Sequence, residues 1–178
     1  EKDPDAIELQ QIVDLTEIDL LQNSRLDNLI PLQKLYRLRS LKMDNTQMAD
    51  LHPLEGMYSI QSLILSNNPV EDLSPLSGLS QLRQLDFKNT PVDDLEPLAS
   101  LFQLEILDLA GTQVKKLDDI SGLSNLRQLI FYNTRVKSLD PLENLPKLEL
   151  IKCYNTRIKE RKVEKYNEIR PDVEVVFY

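Results

Sequence analysis

The amino-acid sequence predicts an α/β solenoid: a right-handed superhelix with a concave parallel β-sheet and short helical or 3-10 segments on its convex side. Three observations carry that expectation. Apolar residues return every 22 positions in five registers, without an insertion, across six copies. Within each copy, apolar and polar residues alternate over a short stretch, as in a strand with one buried face. A turn and, in most copies, a Pro-Leu pair then follow, which reads as the opening of a brief helix. One such unit cannot bury its own apolar face, so neighbours must stack.

The first register is Leu35, Met57, Leu79, Leu101, Leu123 and Leu145, and the second is Leu38, Ile60, Leu82, Leu104, Leu126 and Leu148. Leu41, Leu63, Leu85, Leu107, Leu129 and Ile151 form the third, with Met43, Leu65, Phe87, Leu109, Phe131 and Cys153 two residues on. Met48, Val70, Val92, Val114, Val136 and Ile158 form the fifth.

In chain order, residues 1–14 are expected to cap the solenoid with a short helix from Asp3-Pro4, in which Ala6, Leu9 and Val13 share a face. Repeats should fill 15–158. In the first, Leu15, Ile18 and Leu20 match one half of the unit, and Leu26, Leu29, Pro31 and Leu32 match the other. That copy needs about 23 residues, the extra one near Gln22. Leu85-Asp86-Phe87 and Leu107-Asp108-Leu109 read as strands. The next segment carries Ser74-Pro75, Glu96-Pro97 or Asp140-Pro141 before a Leu, and Ser or Asp followed by Pro reads as a helix N-cap with Pro at the first helical position. Residues 159–178 should form the closing cap. A helix from Arg161 to Arg170 turns Val163, Tyr166 and Ile169 inward and ends at Pro171. Val173, Val175 and Phe177 then alternate as a strand, and adding 22 to Ile151 and Cys153 gives Val173 and Val175.

The pattern L-x-x-L-x-L-x-x-[NT]-x-[VIM]-x-x-L-x-P-L, clearest in Leu63-Ile-Leu-Ser-Asn-Asn-Pro-Val-Glu-Asp-Leu-Ser-Pro-Leu76, resembles the short, 22-residue class of leucine-rich repeats seen in the internalins. The resemblance spans roughly residues 15–158 and implies a binding scaffold without naming a partner. One departure is plain. Thr46, Thr90, Thr112, Thr134 and Thr156 stand where the family has Asn, which only Asn68 keeps. A hydroxyl can still bond the turn, with fewer donors and acceptors than an amide.

Composition limits the function. The 178 residues fit one domain, and the 41% hydrophobic content suffices for a core, with only 6% aromatic residues and no Trp. A net charge of −8 repels a phosphate backbone, so nucleic acid is not an expected partner. The single cysteine, Cys153, excludes an internal disulfide and a cysteine-rich metal site. The absence of disulfide-bonded caps points to a bacterial or an intracellular protein. No apolar run is long enough to span a bilayer. The chain starts at Glu1 rather than Met, as after removal of a leader or a tag. A secreted or cell-surface bacterial protein is therefore expected over a cytoplasmic one.

With the repeated leucines inward, three columns face out. They are Ser40, Ser62, Gln84, Ile106, Gln128 and Leu150; then Lys42, Ile64, Asp86, Asp108, Ile130, Lys152 and Glu174; then Asp44, Ser66, Lys88, Ala110, Tyr132, Tyr154 and Val176. The first half is polar. Toward the C-terminus Ile106, Ile130, Leu150, Tyr132, Tyr154 and Val176 gather, bordered by Lys88 and Lys152. Such a patch marks an interaction site, against the alternative that Ile and Tyr are simply good strand formers. The expected function is a non-enzymatic protein-binding module, a monomer rather than a homo-oligomer, with no cofactor. The alternatives are recognition of a glycan or other cell-surface ligand, and self-association through the patch or the last strand.

Other chemistry is weaker. Asp86 and Asp108 share a column on adjacent strands, as a glycosidase pair or a cation site would require, but an open sheet does not exclude water. His52 precedes Pro53 at a turn, with no second His or Cys beside it. Cys153 lies in a core register. Gly111 holds the slot of Asn45, Asn67, Asn89, Asn133 and Asn155, a turn position suited to positive φ. Lys115, Lys116, Arg135, Lys137, Arg157, Lys159, Arg161 and Lys162 concentrate late in the chain on turns and cap. They read as a solvated rim or a second contact edge.

Overall fold

The structure, a computed structural model, describes residues 14–20 and 29–178. The expected N-terminal helix, with Ala6, Leu9 and Val13, lies outside the described residues, as do Gln22 and Leu26. Eight three-residue strands form one parallel sheet in sequence order. They are β1 (Glu17–Asp19), β2 (Ser40–Lys42), β3 (Ser62–Ile64), β4 (Gln84–Asp86), β5 (Ile106–Asp108), β6 (Gln128–Ile130), β7 (Leu150–Lys152) and β8 (Glu174–Val176). Six 3-10 turns run opposite the sheet: η1 (Ile30–Lys34), η2 (His52–Leu54), η3 (Ser74–Leu76), η4 (Glu96–Leu98), η5 (Asp118–Ile120) and η6 (Asp140–Leu142). Among the described residues one α-helix, α1 (Glu160–Ile169), precedes β8.

All residues of the five apolar registers are buried in one continuous core. Ile18 pairs with Leu41, a step of 41 − 18 = 23, so the first coil does carry the extra residue. From β2 to β7 every step is 22, as in Leu41 to Leu63. The last step differs. Ile151 pairs with Val175, a step of 175 − 151 = 24 rather than the expected 22. The closing coil is built on a ten-residue α-helix rather than a three-residue 3-10 turn, so the chain returns two residues late. An even shift keeps the same faces in and out.

The helix caps also differ from expectation. Ser74, Glu96 and Asp140 are the first residues of their 3-10 turns, and no residue at the N-cap position makes a side-chain cap bond. The turn is instead braced two residues earlier in sequence: Asp50, Asp72 and Asp94 accept the backbone N–H of His52, Ser74 and Glu96 at 2.8–3.0 Å. Short polar side chains bond their own backbone two residues on with little strain.

On leaving each strand from β2 to β7 the chain passes through the left-handed region. Asn45, Asn67, Asn89, Asn133 and Asn155 have φ of 55–57°, and Gly111 has φ 71°. That conformation aims the backbone N–H along the solenoid axis: Asn67 donates to Lys88, Gly111 to Tyr132 and Asn133 to Tyr154 at 2.9–3.1 Å. Asparagine tolerates this region better than other non-glycine residues. Its amides also form a ladder, Asp44–Asn67–Asn89 and Asn133–Asn155, broken at Gly111.

In α1, Val163 and Tyr166 are buried as expected, but Ile169 is 44% exposed. Two steps of three residues turn a helix through about 600°, which carries Ile169 off the inward face. Arg170 covers the end of the last repeat instead. Its guanidinium donates to the carbonyls of Glu143, Leu145 and Leu148 at 2.8–3.4 Å and pairs with Asp172.

Candidate binding surface

The residues expected to meet a partner sit on the open face of β4–β8 or just beyond those strands. Ile106, Ile130, Leu150, Lys152 and Val176 lie on the strands, and Lys88, Tyr132 and Tyr154 lie two residues past them. All eight are half-buried, enclosed at the sides by their neighbours and open to the concave side. Tyr132 and Tyr154 stack, with centroids 4.5 Å apart and planes 6° apart. Adjacent strands are about 4.8 Å apart, so the rings stack along the solenoid axis and turn their edges and hydroxyls outward. A stacked pair of this kind is worth about 0.5–1.5 kcal/mol beyond burial. Their carbonyls accept the N–H groups of Gly111 and Asn133, which fixes the backbone beneath both rings.

The cluster is tighter in some places than expected and looser in others. Val176 pairs with Lys152 in the second column, not with Tyr154 in the third, and Glu174 pairs with Leu150 instead of Lys152. Both corrections follow from the two-residue shift of the last coil. Ile106 is separated from Leu150 by Gln128, so it borders the patch and does not join its centre. The third column is also not uniformly outward, since Ser66 and Ala110 are buried. Ala110 lies beneath the space between Lys88 and Tyr132.

Charge surrounds the rings. Burial raises the Asp108 carboxyl above its ordinary range; Asp86 adds to the rise, while the Ala110 N–H, Lys88 and Lys152 oppose it. Burial also pushes the Tyr132 phenol up, helped by Asp108. The two aspartates do not converge on a shared ligand. Asp86 accepts the Lys88 N–H and the Ser66 hydroxyl, and Asp108 accepts the Ala110 N–H. Each carboxylate is folded onto its own turn. Among the described residues no group of three or more His, Cys, Asp or Glu side chains could hold a metal, and no helix is long and apolar enough to cross a membrane.

The His52 Nδ1–H donates to the Asp50 carboxylate at 2.7 Å on the exposed turn. Cys153 is fully buried, and burial pushes its thiol up to about 12.

The residues 58–100 match the family description "Leucine Rich repeats (2 copies)". An internalin C2 of Listeria monocytogenes is similar over 93% of this chain and 72% of its own, at 28% identity and a TM-score of 0.83. The chain has the leucine-rich-repeat fold of the internalins, which it resembles along nearly its whole length. A second Listeria monocytogenes internalin (inlF) is 22% identical, covering 94% of this chain and 50% of its own with a TM-score of 0.79. A leucine-rich-repeat protein of Leptospira interrogans is 20% identical, covering 95% and 44% with a TM-score of 0.85. The chain thus spans about half the length of these last two. No curated protein matches it. Eight parallel strands with 3-10 turns are the expected architecture of such a repeat.

Sequence reasoning missed two features of this repeat protein. One is the amide ladder at the strand ends, legible as a run of Asn at a fixed register. The other is a row of exposed rings on the flank before the strands, Tyr36, Tyr58 and Phe102. Tyr58 lies against Gly78 of the next coil at 3.4 Å from an ideal Cβ, and Phe102 against Gly122 at 4.0 Å. Tyr58 and Phe102 thus roof the next coil.

Proposed function

We propose that this repeat protein binds a protein partner on the C-terminal half of its concave sheet, around Tyr132 and Tyr154. The observation that carries this reading is the stacked, half-exposed pair, held from below by backbone bonds and flanked by Ile130, Leu150, Val176, Lys88 and Lys152. Rings already fixed by stacking lose little freedom on binding, which favours affinity. Tyr offers an apolar body and a polar tip, the combination enriched at interface centres. Lys88 and Lys152 would meet acidic groups at the rim. The edge-on presentation of the rings suits side chains and backbone of a protein. A sugar would seek a ring face, and stacking occupies the inner two, which makes a glycan the second reading. The protein acts without a cofactor, as a monomer, on or outside a bacterial cell; the Listeria and Leptospira relatives support that setting.

The test is affinity capture with mass spectrometry from the native source, comparing the wild type with Tyr132→Glu/Tyr154→Glu. The variant should keep its fold by circular dichroism and lose a specific protein that the wild type retains. Equal recovery of that protein would overturn the site. A glycan array separates the second reading.

A further inference from the structure

We propose a second binding site on the flank where strands lead into 3-10 turns, between Lys115 and Arg157, for a short polyanion bearing sulfate or phosphate groups. The flank changes sign along the solenoid. Its N-terminal half carries Asp50, Glu71, Asp72, Asp93 and Asp94; the register of Glu71 and Asp93 then becomes Lys115, Lys137 and Lys159, and that of Asp72 and Asp94 becomes Lys116, Ser138 and Glu160. The adjoining register, Pro69 and Pro91 earlier, becomes Arg135 and Arg157. There the surface opens into a cleft of about 860 Å³ lined by Lys115, Lys116, Arg135, Lys137 and Arg157.

The cleft coil abandons two structural rules at once. Lys116 stands where Asp50, Asp72 and Asp94 brace the turn, and Asp119 where Pro53, Pro75, Pro97 and Pro141 start it. Pro53, Pro75 and Pro97 are buried, whereas Pro141, beside Asp119, is partly open to the cleft. Local rules broken with no compensating contact mark functional sites.

Charge pairing sets this flank apart from the opposite one. There Arg83 and Arg127 each meet an acid one coil on, Glu105 and Glu149. Here two cations are each followed one coil on by another, Lys115 by Lys137 and Arg135 by Arg157. Like charges about 4.8 Å apart repel. Among the described residues the side chains of Lys116, Arg135, Lys137 and Arg157 make no hydrogen bond or ion pair, and Lys115 reaches only Asp93, at 3.9 Å. Of the acids lining the cleft, Asp140 is held by Lys162 at 3.0 Å, which leaves Asp118 and Asp119 as the opposing charges. Tetrahedral oxyanions in a row would meet these cations coil by coil, with Arg forming paired bonds to each. The net charge of −8 does not forbid this, because screening confines it to about 8 Å at physiological salt. Three coils span only about 10 Å, suited to a few anionic groups. A second copy is a poorer fit. Asp50, Asp72 and Asp94 already accept their own backbone N–H groups.

The test measures retention on immobilised heparin and on linear polyphosphate, with polyglutamate as the carboxylate control. Wild-type chain should bind one or both of the first two, release with salt, and bind polyglutamate at least ~10-fold more weakly. Preference between heparin and polyphosphate identifies sulfate or phosphate as the source. Arg135→Glu/Arg157→Glu should weaken retention at least ~10-fold with unchanged thermal stability, and Tyr132→Glu/Tyr154→Glu should not weaken it. Arg135→Gln/Arg157→Gln serves if charge reversal disturbs the fold. No retention, equal retention on polyglutamate, or indifference to the arginine changes would overturn the site. So would light scattering that shows a wild-type dimer split by charge reversal.

Discussion

Replacing Asn68 with Thr, which every other complete repeat carries in that register, is expected to destabilise the protein by about 3 kcal/mol. Asn68 is 3% exposed and joins two coils. Its Oδ1 accepts the backbone N–H of Thr46 at 2.9 Å and of Met48 at 3.2 Å, while its Nδ2 donates to the carbonyls of Met43 and Leu65 at 2.6 and 2.9 Å. Thr90 and Thr112 reach only within their own coil, to Phe87 and Leu109 at 2.7 Å. A threonine at 68 would keep the bond to Leu65 and orphan two N–H groups in buried surroundings. Each orphan costs about 1–3 kcal/mol. The loss is offset by about 1 kcal/mol if Gln47, now at φ 65°, relaxes from the left-handed region. Urea unfolding should show a lower midpoint at unchanged slope, with faster hydrogen exchange at Thr46 and Met48. A loss below about 0.5 kcal/mol would refute the argument. It would mean that the turn adopts the alternative used later in the chain, where the Gln113 N–H bonds Val92 at 2.9 Å.

Three further outcomes test other parts of the account. Gly111→Asn should raise stability by about 0.5–1 kcal/mol, since Asn accepts φ near 71° and can join the two halves of the amide ladder, whereas Gly111→Ala should lower it by about 1 kcal/mol. A Cβ there lies 2.3 Å from Asn89 Oδ1, so the gain requires that amide to swing; a thermal melt in which both variants fall equally would show that it does not. Cys153, its thiol pushed up to about 12 by burial, should ignore a thiol reagent at pH 8 until urea unfolds the chain; native labelling within minutes would contradict its buried placement. His52 should titrate above 6.5, chiefly through its hydrogen bond to Asp50. A raised folded value means that the stabilisation is fully present below 6.5 and is lost as pH rises through that value. Asp50→Asn should return the NMR titration to about 6.5, and no change would remove the pairing.

The repeat was legible because stacking forces each coil to put the same kind of side chain at the same place. Leu41, Leu63 and Leu85 announce a core column without any structure. Parity along the strand likewise told which residues face out, and it survived the two-residue shift at β8. That shift was hidden, because the path length of a closing α-helix is not written in the period. The braces at Asp50, Asp72 and Asp94 were overlooked for a related reason. The Pro suggested a helix N-cap beside it, while a 3-10 turn so short is held from two residues earlier. Ile169 failed because three-residue spacing repeated twice drifts off a helical face. In the candidate site the identities of Tyr132 and Tyr154 were readable, but not their parallel stack, nor the burial of Ala110 beside them. Those depend on how side chains past the strand end lean on the neighbouring coil.

The central claim is that the C-terminal half of the concave sheet carries the binding energy. It is tested most directly by calorimetric titration of the captured partner against single alanine substitutions on both halves of that face. Tyr132→Ala and Tyr154→Ala should each weaken binding by about 2 kcal/mol or more, roughly 30-fold, while Ser40→Ala and Ser62→Ala leave it unchanged. Equal losses on the two halves, or none at the tyrosines, would contradict it.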